Sequence, residues 1–117
     1  MVEALRSGNY IQCVGQLRTE NSFCFAGVAC DLYDNTKWEE IFGHYTHNGQ
    51  PFIMSKDVQL FYGFCSPLGT FVGNPFSLES LADMNDGGCD FQLIANTIEW
   101  GWENRQSSEM FKVPNTP

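Results

Sequence analysis

FCFAGVACDLY, residues 23–33, is the stretch whose reading decides the fold. Its apolar residues run almost without a break, a pattern that buried strands and buried helices share. Ala26, Ala29, Cys30 and Tyr33 recur at three- and four-residue spacings, so the segment reads as a helix at the centre of the core. Asn21 or Ser22 stands where its N-cap is needed. Gly27 weakens a helix unless a neighbour must come close. With Ala on the same face, it predicts tight packing.

Upstream, residues 2–6 read as a short helix stopped by Ser7-Gly8-Asn9. Residues 10–18 read as extended, interrupted at Gly15, with a turn over 19–22. Downstream, IFGHYTH and QPFIM flank Asn48-Gly49, a pair that supplies the positive φ angles of a tight hairpin turn. Pro51 marks the second arm as an edge strand. Ser55 caps a helix over 56–62 that Gly63 ends. Pro67, Gly69, Gly73 and Pro75 make 65–76 a loop. Ser77 caps a helix with Leu78, Leu81, Ala82 and Met84 inward, and Asn85-Asp86-Gly87-Gly88 ends it. Asp90 caps a second helix, 91 to about 104, with Phe91, Leu93, Ile94, Ile98 and Trp102 as its apolar stripe. The expectation is an α+β fold with a buried central helix, a β-hairpin around Asn48-Gly49 and a C-terminal αα-hairpin. Residues 1–106 form one domain, and 107–117 a loosely ordered tail.

The 117 residues fit one domain. A content of 43% hydrophobic and 15% aromatic residues is ample for a core. Fourteen acidic against six basic residues give a net charge of −8. Arg6, Arg18, Lys37, Lys56, Arg105 and Lys112 are scattered, which speaks against a groove for a nucleic acid polymer. The acidic exterior suits solubility, or docking on a basic protein surface. No apolar run reaches the ~18 residues of a membrane span, and the N-terminus lacks the features of a secretory signal. A cytoplasmic location follows as an expectation, with the five cysteines as free thiols. Cys24 and Cys30 are six apart, no CxxC occurs, and His44 and His47 lie on another segment. That spacing offers no zinc site and implies no cofactor.

Several motifs lose on inspection. A calcium loop begun at Asp83 would find Ile94 where a bidentate Glu is required, so DMNDGGCDF is better read as a helix-ending turn. A helix-turn-helix reading leaves the 91–104 helix with Gln92, Asn96, Thr97 and Glu99, and Arg105 as its nearest cation, which is poor for base readout. Cys24 at a helix start is a candidate nucleophile, because a helix N-terminus lowers a thiol pKa, with His44 or His47 as base. A buried, inert thiol is the competing reading. The mid-chain aromatics form either satellite core or a binding surface.

Three blocks resemble a set of small uncharacterised proteins encoded by tailed phages. ALRSGNYIQCVGQLR (4–18) is similar to an opening of Ala-Leu-x-Ser-Gly-x-Tyr-x-Gln followed by Gly-x-Leu. FCFAGVACDLY is similar to Cys-Cys-Leu-Gly-Val-Leu-Cys-Asp-Leu. LADMNDGGCDFQLIANTIE (81–99) resembles Leu-Ala-x-Leu-Asn-Asp-x-Gly-x-x-Phe-x-x-Ile-Ala-x-x-Ile-Glu. Phe25 departs from the pattern, which often has Cys or Leu there, and the middle of this chain is more aromatic. The resemblance implies a phage accessory gene expressed in a bacterial cytosol and transfers no catalytic residue.

The expectation is therefore a non-enzymatic counter-defence protein with one of two targets. The first is a nucleotide-type immune signal held by Trp38, Tyr45 and Phe71, with Arg18, Lys37 or Arg105 on phosphate. The second is a basic surface of a host defence protein. A pocket built between two copies of the chain stays open. The alternatives are a cysteine hydrolase using Cys24 with His44 or His47, and a structural or morphogenetic phage component.

Overall fold

Helix α2 (Phe25–Tyr33) buries its first six residues and forms the centre of the core. The computed structural model describes residues 1–72 and 80–112. In chain order the elements are α1 (Val2–Arg6), α2, a 3-10 turn (Asn35–Lys37), β1 (Trp38–Ile41), β2 (His44–His47), α3 (Lys56–Tyr62), α4 (Leu81–Asp86), α5 (Phe91–Glu103) and α6 (Arg105–Ser108). The architecture is α+β, with one two-stranded antiparallel hairpin and a C-terminal helix pair.

The start of α2 lies two residues later than the apolar run suggests, because Phe23 is already committed. Its N–H bonds Ile11 O at 2.8 Å, and its C=O accepts from Cys13 N at 2.9 Å. The cap is therefore neither Asn21 nor Ser22 but Cys24, whose Sγ accepts from Gly27 N at 3.4 Å. Gly27 is required for contact. A Cβ there would lie 1.9 Å from the carbonyl oxygen of Leu17. The tight neighbour is thus the backbone of the N-terminal segment, which wraps the helix through single bridges rather than a strand.

The turn at Asn48-Gly49 forms, with φ of 51° and 80°, and His47 and Gln50 exchange both backbone bonds at 3.0 Å across it. The two-stranded ladder, however, reverses one turn earlier, at Phe42-Gly43 (φ 53° and 82°), with Trp38 opposite His47 and Ile41 opposite His44. Among the described residues no strand follows Gln50. Pro51 has no N–H for a ladder, and its carbonyl accepts from Leu17 N at 3.1 Å instead.

Helix α3 has the expected limits, with Ser55 Oγ accepting from Val58 N and Gly63 at φ 78°. The expected cap Ser77 and Leu78 lie outside the described residues. The described helix begins at Leu81, capped by Ser80. Asp90 caps α5 as expected. Along α5 the inward stripe includes Gly101 rather than Trp102, which is exposed. Met110 lies so close that a Cβ on Gly101 would meet its sulfur at 2.5 Å. Of the stretch expected to form a tail from 107, residues 107–112 lie among those described. Ser108, Met110 and Phe111 are buried, and Cys65 N bonds Met110 O at 2.9 Å.

Asn85 ties these parts together. It is buried, and its side chain bonds Gln12, Cys13, Phe25 and Asp86. Replacing Asn85 by Ala strands the Phe25 N–H and the Cys13 carbonyl, so a loss of about 3 kcal/mol is expected from urea unfolding. Gly27→Ala should lose at least ~2 kcal/mol by forcing apart α2 and residue 17. A wild-type midpoint for either variant would refute its assignment.

Candidate functional site

The hairpin carries the least ordinary side-chain environments of the molecule. Its alternation puts Trp38, Glu40, Tyr45 and His47 on one face. That face is bolted to the C-terminal end of α2. Trp38 Nε1 donates to Asp31 Oδ1 at 3.0 Å, and His47 Nε2 donates to Asp34 O at 2.8 Å, since a carbonyl can only accept. His47 is wholly buried, and its Nδ1 has no partner.

Against this face lies Arg18. Its guanidinium carbon sits 4.4 Å from the Tyr45 ring centre, 5.0 Å from Phe23 and 5.2 Å from Trp38. Three ring faces surrounding one cation are a strong cation–π arrangement. Nε is buried without a partner, and among the described residues no carboxylate pairs with the side chain. The structure thus brings together Arg18, Trp38 and Tyr45, with Lys37 exposed beside Trp38. It separates them from Phe71 and Arg105. Phe71 is core, 5.9 Å from the Trp100 ring, and Arg105 stacks at 4.5 Å on Trp102 and donates to the Trp102 carbonyl. Phe71 and Arg105 line a separate open hollow of about 570 Å³ with Cys65, Thr70 and Lys112.

At the other end of the hairpin, Phe42 is 95% exposed and Ile41 61% exposed. Phe42 holds a left-handed backbone, a conformation that costs a non-glycine residue about 1–2 kcal/mol. Glu40 accepts a hydrogen bond from Gly43 N and so fixes the tip, while Glu39 is exposed on the opposite face. Phe42 is one of the mid-chain aromatics. The signal was present: Phe-Gly between two strand-like arms can form a two-residue turn as Asn-Gly does, but only by placing Phe at positive φ.

A model of a domain of unknown function, DUF8296, matches residues 1–67. The chain belongs to this family. The match takes in α1, α2, the hairpin and α3, including both ends of the candidate site. No curated protein and no solved structure matches the chain.

In this DUF8296 chain the thiols are placed unlike a Cys–His pair. Cys24 caps the start of α2, and His47 binds the residue that ends it. Nine helical residues separate them, roughly 14 Å. His44 is exposed next to the hairpin tip. The expected lowering of the Cys24 pKa at a helix start is outweighed by desolvation, which pushes the thiol up to about 12 despite the bond from Gly27 N–H. Burial likewise raises Cys30 to about 12. All five cysteines are free, with Cys65 exposed. Among the described residues, no group of three His, Cys, Asp or Glu is placed to hold a metal, and no helix is long and apolar enough to cross a membrane.

These shifts give alkaline lability. The folded state retains the protons of Cys24 and Cys30 to about pH 12, whereas the unfolded thiols release theirs from about 9. The unfolded form then binds fewer protons, so stability is full below pH 9 and declines as pH rises toward 12. Native-state labelling with a thiol reagent at neutral pH should modify Cys65 first, and Cys24 and Cys30 only on unfolding. Rapid native labelling of Cys24 would overturn its assignment as an inert cap.

Proposed function

We propose that the chain is a phage accessory protein that acts without catalysis, in the host cytosol, by docking its hairpin tip on a basic surface of a host defence protein. The phage setting rests on the resemblance of the three sequence blocks. The docking mode rests on Phe42. A bulky aromatic that is nearly fully exposed and also held at φ 53° is costly in the free protein. Burial of the ring in a partner's pocket offsets that cost, since aromatics are the side chains that most often anchor interfaces. Glu39 and Glu40 beside the tip, with the net charge of −8, match a cationic rim around such a pocket.

The nucleotide-signal reading fits the geometry less well. Trp38 and Tyr45 turn ring faces to the protein's own Arg18, while Phe71 and Arg105 are in another hollow.

A photo-crosslinking phenylalanine analogue at position 42, expressed in the host, should trap one basic protein that the same probe at exposed Lys56 does not. With that protein purified, Phe42→Asn should weaken binding at least ten-fold, and added salt should weaken it further. The same substitution should stabilise the free chain by about 1 kcal/mol, because Asn tolerates the left-handed turn. Undiminished affinity of the Asn variant would end this reading.

A further inference from the structure

We propose that Arg18 is an oxyanion-binding position, its terminal nitrogens presenting an end-on fork to a carboxylate or phosphate from outside the chain. The proposal is independent of the tip. Three observations carry it. The guanidinium is held in one orientation by Phe23, Trp38 and Tyr45, so little freedom remains to be lost on binding. Its terminal nitrogens make no hydrogen bond to any described residue, and they are not among the buried unpartnered atoms as Nε is, so they face solvent. Finally, the two acids tied to the hairpin face that carries Trp38 and Tyr45 serve other donors. Asp31 accepts from Tyr10 OH on one oxygen and Trp38 Nε1 on the other, and Glu40 accepts from Gly43 N–H.

In a chain with fourteen acids and six bases, a fixed cation left without a carboxylate is not explained by surface charge balance. Packing of the stem explains the aromatic contacts but not the open fork. A planar guanidinium with two parallel N–H groups free is the donor set that pairs bidentately with carboxylate or phosphate oxygens. Lys, with a point charge, would keep the cation–π contact and lose the fork.

The test is a heteronuclear NMR titration of the intact chain with sodium acetate and, separately, inorganic phosphate, at ionic strength held constant with chloride. Saturable shifts are expected at the Arg18 Nε–H, the Trp38 indole N–H and Tyr45, with half-saturation in the tens of millimolar, and none at Arg105. Saturation by acetate points to a carboxylate ligand, and by phosphate to a phosphoryl group. Arg18→Lys should reduce the affinity several-fold while its thermal unfolding midpoint stays close to wild type. Shifts that remain linear for both anions, or equal ones at Arg105, would overturn the proposal. So would unchanged binding by a folded Lys variant. The wild-type titration decides even where the variant fails to fold.

Discussion

Asn85 has almost no exposure, yet each of its four hydrogen-bonding positions is used. Oδ1 accepts from Gln12 Nε2 and Phe25 N, and Nδ2 donates to Cys13 O and Asp86 Oδ1. Phe25 N is one of the first amides of α2, which has no partner inside the helix. Its acceptor therefore comes from the end of α4, some 60 residues away. Gln12 extends the network to Cys89 O, and Gly15 N adds a bond to Asp86. A single amide thus holds the first turn of α2 and the N-terminal wrap, and joins both to the turn between α4 and α5. Gly27 permits the close approach that this arrangement requires.

The helices with local signals were legible in sequence. Ser55 and Gly63 bracket α3, Asp90 opens α5, and Ser7 ends α1, because caps act within three or four residues. What failed was decided by distant partners. Asn85-Asp86-Gly87-Gly88 has the composition of a turn, and nothing nearby reveals that its first residue is an interior hub. Phe23 looked like the first turn of a helix because its bonds to Ile11 and Cys13 lie more than nine residues back. The hairpin was legible in kind but displaced in position. Two pairs, Phe42-Gly43 and Asn48-Gly49, adopt the same left-handed geometry. Composition favours the second, but Pro51 prevents a strand from following it.

The candidate site was legible to the extent that its chemistry is local. Arg18, Trp38 and Tyr45 were grouped as a cation with aromatics, and they do meet. Phe71 and Arg105 belong elsewhere, since Phe71 is needed to fill the core under Trp100. Sequence could not show that the aromatics surround the protein's own cation, nor that the exposed ring would be Phe42.

The two ends of α2 carry different work. Its N-terminus is fixed by Asn85 and by the Leu17 carbonyl against Gly27, and these contacts define the core. Its C-terminal end holds the hairpin through Asp31 and Asp34, using Trp38 and buried His47 as the bolts. Beyond those bolts, residues 39–41 pair with residues 44–46, and Glu39, Glu40, Ile41 and His44 are exposed. Changes at positions 39–44 therefore cost the core little, while Trp38 and His47 still tie the root of the hairpin to α2. A strained aromatic is tolerable there because its strain is confined to a two-residue turn and is not passed to the helices. The fold separates the contacts that define the core from the exposed turn at Phe42-Gly43, and α2 joins the two.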